Sequence, residues 1–130
     1  MPLRIAFDTT SHGIEVEVAG PIDEADALAQ VRRTLQDPRF PAVKWILADA
    51  RQRESAASPE LVAAVVAQLR EHAERLPRAR CALVAEGAAT FGMQRMFSIR
   101  SESIPFEVRA FRDIDDARAW LRGDGGEEPA

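Results

Sequence analysis

Cysteine, lysine, histidine and long apolar runs are all scarce in this 130-residue chain, and each scarcity excludes something. The single cysteine, Cys81, rules out an internal disulfide and any metal site built from several thiolates. His12 falls in a turn and His72 on a helix flank, neither with a second ligand at metal-binding spacing, so no metal site is expected. No window approaches the roughly 20 apolar residues of a membrane span, and the start MPLRIAFD lacks a signal peptide's apolar core. The expectation is a cytoplasmic protein with no membrane span. Of 17 basic residues only Lys44 is a lysine, which with abundant alanine points to a GC-rich bacterial source. The net charge of −4 argues against nucleic acid as a partner, since phosphate binding wants a basic surface. Neither Ser55 nor Cys81 has an evident base within reach, and no glycine loop has phosphate-binding spacing. No catalytic residue, no cofactor and no enzyme activity is therefore expected.

What the chain does contain is one domain's worth of alternating strand and helix signals. Trp45 to Ala48 is an apolar run without polar alternation, as in a strand buried on both faces. It is expected to end at Asp49, to pass through a polar loop, and to restart as a helix at Ser58-Pro59. Before it, Leu3 to Phe7 and Ile14 to Ala19 alternate as two strands of a hairpin, with Gly13 as the turn residue free to take positive φ. Asp23 caps a helix whose stripe is Leu28, Val31 and Leu35. After the central stretch, a helix from Pro59 carries apolar residues through Leu76 and is closed by Pro77. Ala79 to Ala85 reads as a buried strand, Ala88 to Glu102 as a helix, and Pro105 to Phe111 as an edge strand. Asp113 caps a last helix, Ile114 to Arg122, and the acidic, glycine-rich residues 123–130 are expected to be disordered.

The order ββαβαβαβα predicts an α/β domain over residues 1–122. Its single five-stranded sheet should be mostly parallel with an antiparallel first strand, and helices should pack against it. With these elements placed, the ILADAR strand end and the run FGMQRMFSIRSESIPFEVRAFRDIDDARAWL can be compared with known families. The chain resembles the STAS superfamily of anti-sigma-factor antagonists and sulphate-transporter tails. More closely it resembles the small bacterial STAS-like proteins related to the CRAL-TRIO lipid-binding fold. The resemblance implies a non-catalytic module, used in signalling, that binds a protein partner, itself, or a small ligand. Phosphorylated members carry their serine after the central strand in an Asp-Ser-Ser/Ala-Gly context. Here that loop reads DARQRESAASPE, with no glycine, and Ser55 and Ser58 are its only hydroxyls.

Three groups of residues are candidate sites. Asp49, Arg51, Arg53, Ser55 and Ser58 project after the central strand, as a partner or anion-binding loop or as a solvated loop that pairs internally. Ser55 and Ser58 are possible phosphorylation sites, and a phosphate on Ser58 would meet a helix N-terminus. Phe91, Met93, Arg95, Met96 and Arg100 form an interaction helix whose apolar residues span more than one stripe. Gly92 within it hints at close approach by another backbone. Arg95, Arg100, Arg109 and Arg112 either hold a lipid phosphate or an acidic partner, or pair with Glu102, Glu107 and Asp113. A carrier for a lipid or other apolar small molecule between the 88–102 helix and the sheet is the alternative to a protein-interaction module. Short helices and close-packing alanines are expected to leave few residues to wall a large cavity.

Overall fold

The opening hairpin is fixed by a side chain rather than by a glycine. The structure, a computed structural model, describes residues 3–20, 23–53, 58–100 and 104–123. Strands β1 (Leu3–Asp8) and β2 (Gly13–Gly20) pair antiparallel, from Leu3 opposite Val18 to Asp8 opposite Gly13. Asp8 Oδ1 accepts from the Thr10 and Ser11 N–H groups and so folds the turn. The left-handed residue is His12, at φ 59°, and not Gly13 as the sequence predicts. Gly13 serves another need: it is the register partner of Trp45, and a Cβ there would lie 1.8 Å from the indole Cε2.

Helix α1 (Glu24–Gln36) starts at Asp23, whose carboxylate accepts from the Ala25 and Asp26 N–H groups. Strand β3 is Trp45–Arg53, and helix α2 is Pro59–Glu71, with Ser58 Oγ accepting from Leu61 N and proline in the first turn. Strand β4 (Arg80–Val84) and helix α3 (Ala88–Arg100) follow. Strand β5 (Glu107–Phe111) leads to helix α4 (Ile114–Arg122), capped by Asp113 and ended by Gly123 at φ 87°.

Two boundaries differ from the sequence reading by more than two residues. The central strand does not end at Asp49 but continues to Arg53, because β2 runs on to Gly20 and offers Ala19 and Gly20 as partners for Gln52 and Arg53. Between Asp49 and Gln52 two residues of β3 face one of β2, a bulge next to the bond from Arg51 N to Asp49 Oδ1. Helix α2 stops at Glu71, not before Pro77. Residues Ala73–Arg75 tighten into a 3-10 turn, from which the Arg75 guanidinium donates to the Leu35 and Asp37 carbonyls at the end of α1. The expected disordered tail lies, from residue 124 on, outside the described residues.

The sheet order is β1-β2-β3-β4-β5, with β1 antiparallel to β2 and every other pair parallel, which is the architecture the element order predicts. Right-handed crossovers that step the same way three times put α1, α2 and α3 on one face. There Ile14, Ile46, Cys81, Leu83, Phe40 and Phe106 form a buried cluster. The other face is covered by α4 alone among the described elements, through Ala117 and Trp120 on Leu47, Ala82 and Val84.

Candidate functional site: a cavity between the sheet and the three-helix layer

Ala48 is the clearest sign that the two faces differ. It lies mid-way along the central strand, beneath three helices, yet is only partly buried. The reason is a cavity of about 290 Å³ between the sheet and the α1–α3 layer. Its floor includes Val16, Val18, Ala48, Ala50 and Leu83, and its roof includes Val31, Val65, Leu69, Met93 and Phe97. The alanines expected to close this space instead create it, since a one-carbon side chain on β3 cannot span the gap to α2. Such a volume is about twice the ~150 Å³ apolar cavity that takes up benzene, and close to the lower end of small-ligand pockets. At the amino ends of the parallel strands the Phe40 and Phe106 rings close it edge to face, 6.1 Å between centroids.

The wall carries no charged side chain among the described residues, and its polar members are Thr34, Thr90, Gln94 and Cys81. Thr34 Oγ1 already donates to the Gln30 carbonyl at 2.8 Å. Burial pushes the Cys81 thiol up to about 12, so it stays protonated at neutral pH and is a poor nucleophile. Gln94 Nε2 donates to the Val84 carbonyl at 3.2 Å, while its Oε1 is buried without a hydrogen-bond partner among the described residues. The sequence reading passed over Gln94. The available signal was a lone amide in an apolar helix, spaced with Thr90, Met93 and Phe97 as one face.

The predicted sites do not come together. Trp45, Leu47 and Asp49 alternate onto the α4 face, away from the cavity. There Asp49 makes two charge-assisted bonds with Arg51, 2.9 and 2.8 Å, and the guanidinium holds its carboxyl below the ordinary carboxylate range. Ser58 lies on the helix-layer side, where its N–H and Oγ both donate to the Glu24 carboxylate, at 3.0 and 2.7 Å. The negative charge at the α2 N-terminus is thus supplied by the chain itself. Ser55 and the Arg53 side chain lie outside the described residues.

On α3 the residues divide. Met93 and Phe97 face the cavity, whereas Phe91, Arg95 and Ile99 line a second hollow, of about 360 Å³, over Val108 and Ala110 of the open β5 edge. No residue of this helix is fully buried, which is why its apolar residues span more than one stripe. Met96 is partly buried, and Arg100 is exposed at the helix end. Gly92 has nothing within 4 Å of a Cβ position, so the close backbone approach expected there is absent among the described residues. Arg109 lies over the Trp120 ring, and Arg112 donates to the Glu86 carbonyl and covers Phe91. Glu107 pairs with Arg80 at 3.7 Å, Asp113 caps α4, and Glu102 is outside the described residues.

No group of three or more His, Cys, Asp or Glu residues that could hold a metal ion occurs among the described residues. No described helix is long and apolar enough to cross a membrane. Compared with models of protein families and with curated proteins, the chain matches none.

Proposed function

We propose that this chain is a non-enzymatic carrier or sensor of an apolar small molecule, held between the sheet and the α1–α3 layer. The observation that carries this reading is the uncharged cavity of about 290 Å³ beside a partly buried Ala48. A polar or ionic ligand would lose its hydration there and meet no compensating charge. The resemblance to STAS-like proteins related to the CRAL-TRIO lipid-binding fold supports the same reading. Uptake of an environment-sensitive apolar dye tests it. The wild-type chain should bind the dye with one site, and Ala48→Leu, which fills the cavity floor, should lower the affinity at least tenfold while the fold persists. Equal uptake by the two proteins would place the dye elsewhere and remove the support.

A signalling module that binds a protein partner or itself is the second reading, and one observation favours it. Ile99 is 63% exposed beside the outer hollow and the open β5 edge, the one large apolar side chain so exposed among the described residues. Ile99→Asp should abolish self-association seen by sedimentation. An unchanged association constant would dismiss this surface as the interface.

A further inference from the structure

Along α3 and β5 the chain carries cations that it does not neutralise. Elsewhere Arg4, Arg39, Arg51, Arg80 and Arg118 each pair with a carboxylate. The exposed Arg95 and Arg100 side chains make no ion pair or hydrogen bond with a described residue. Arg109 rests on the Trp120 ring, and Arg112 on the Phe91 ring and the Glu86 carbonyl, so neither meets a carboxylate. In a chain of net charge −4 this is a local excess of positive charge.

The same place is a strand edge. Glu107 N donates to the Ala79 carbonyl and Ala85 N to the Phe111 carbonyl, which sets the phase of the β4–β5 ladder. Val108 and Ala110 therefore turn their N–H and C=O groups outward. No described strand lies beyond β5, and of these outward groups only the Val108 carbonyl has a described partner, Ser98 Oγ at 2.8 Å. Beside them is the hollow of about 360 Å³, lined by Phe91, Ile99, Arg95 and Arg109 among others.

From this we infer, resting on the protein-partner reading above, that the α3–β5 face docks an extended acidic segment of a partner protein, which adds to β5 as a sixth strand. Side chains of such a segment alternate between the two faces of the sheet. Apolar ones enter the hollow beside Phe91 and Ile99, while carboxylates on the opposite face meet Arg109 on the α4 side. A second copy fits less well, because two β5 strands paired about a two-fold axis bring the same uncompensated arginines to both sides of one interface. A lipid headgroup offers charge but no ladder of N–H and C=O groups for the edge.

The test uses a labelled octapeptide of alternating valine and glutamate, followed by fluorescence anisotropy at low ionic strength. The wild type should bind it saturably, and Arg95→Glu and Ile99→Asp should each weaken binding by about tenfold or more. A central proline, which removes a ladder N–H from the peptide, should cost about as much. Both substituted residues are exposed, so unfolding midpoints equal to the wild type's are expected and show that the variants are folded. No saturable binding by the wild type, full binding by Arg95→Glu, or equal affinity for the proline peptide would each overturn the inference. Arg95-dependent binding to phosphatidylserine vesicles in place of the peptide would overturn it in favour of a membrane surface. Sedimentation separates the two failures. Self-association lost in Ile99→Asp, without peptide binding, leaves the earlier reading standing and removes this one, whereas the absence of both removes the two together.

Discussion

The two faces of one sheet are covered in different ways, and the contrast isolates what packing requires. Facing α4, the strands present Leu47, Ala82 and Val84, and Trp120 fills the space above them at 1% exposure. Facing α1–α3, β2 and β3 present Val16, Ala48 and Ala50, which line the cavity. One indole closes its helix–sheet interface, whereas the three-helix layer leaves a cavity beneath it. Elements and strand register are shared by both faces. Side-chain volume over β3 is what differs.

That contrast predicts a hierarchy of effects. Trp120→Ala should cost about 3–5 kcal/mol in denaturant unfolding, since it opens a void in a closed face. It should leave dye uptake per folded molecule unaltered. Val65→Ala, on the roof of an existing cavity, should cost only about 1 kcal/mol, because its side chain is partly buried and fewer contacts are lost. If the two substitutions cost the same, the faces are equally packed and the contrast fails.

Asp49→Asn should cost on the order of 1 kcal/mol at neutral pH. The folded carboxyl titrates below its ordinary value of 3.8, so the pairing with Arg51 stabilises above that value and is lost as the pH falls through the folded value. The difference between wild type and variant, followed by chemical unfolding, should accordingly shrink as the pH drops below about 4. A difference that stays constant into acid would mean that the carboxylate's charge is not what matters. The smallest effect is a gain. Gly92→Ala should stabilise the fold by about 0.5–1 kcal/mol, since nothing opposes a Cβ there and a helical glycine is entropically costly.

Much of the fold was legible because it is local. Asp23, Ser58 and Asp113 are short polar side chains at the starts of periodic segments, and each caps the helix expected of it. The Trp45 to Ala48 run marks the centre of the sheet. What the sequence did not reveal depends on distance across the fold. Glu24 occupies the α2 N-terminus from 34 residues away, so Ser58 carries a bond that local pattern does not show. Asp49 continues a strand instead of opening a loop, and alternation then turns it away from α3. Small residues read as signs of close packing, whereas Ala48 and Ala50 lie under a helix layer held too far off for them to fill the space.

The strand order has one more consequence, which concerns the order of unfolding. Helices α1, α2 and α3 each join two strands, so lifting one away strains two neighbours. Among the described residues, helix α4 is joined to the sheet through β5 alone. It is the element that can detach as a unit, as hydrogen exchange detects in other folds. Its amides should then exchange together, at a lower opening free energy than those of β3. Opening in that way bares Leu47, Val84 and Phe111 while the cavity side of the sheet remains intact.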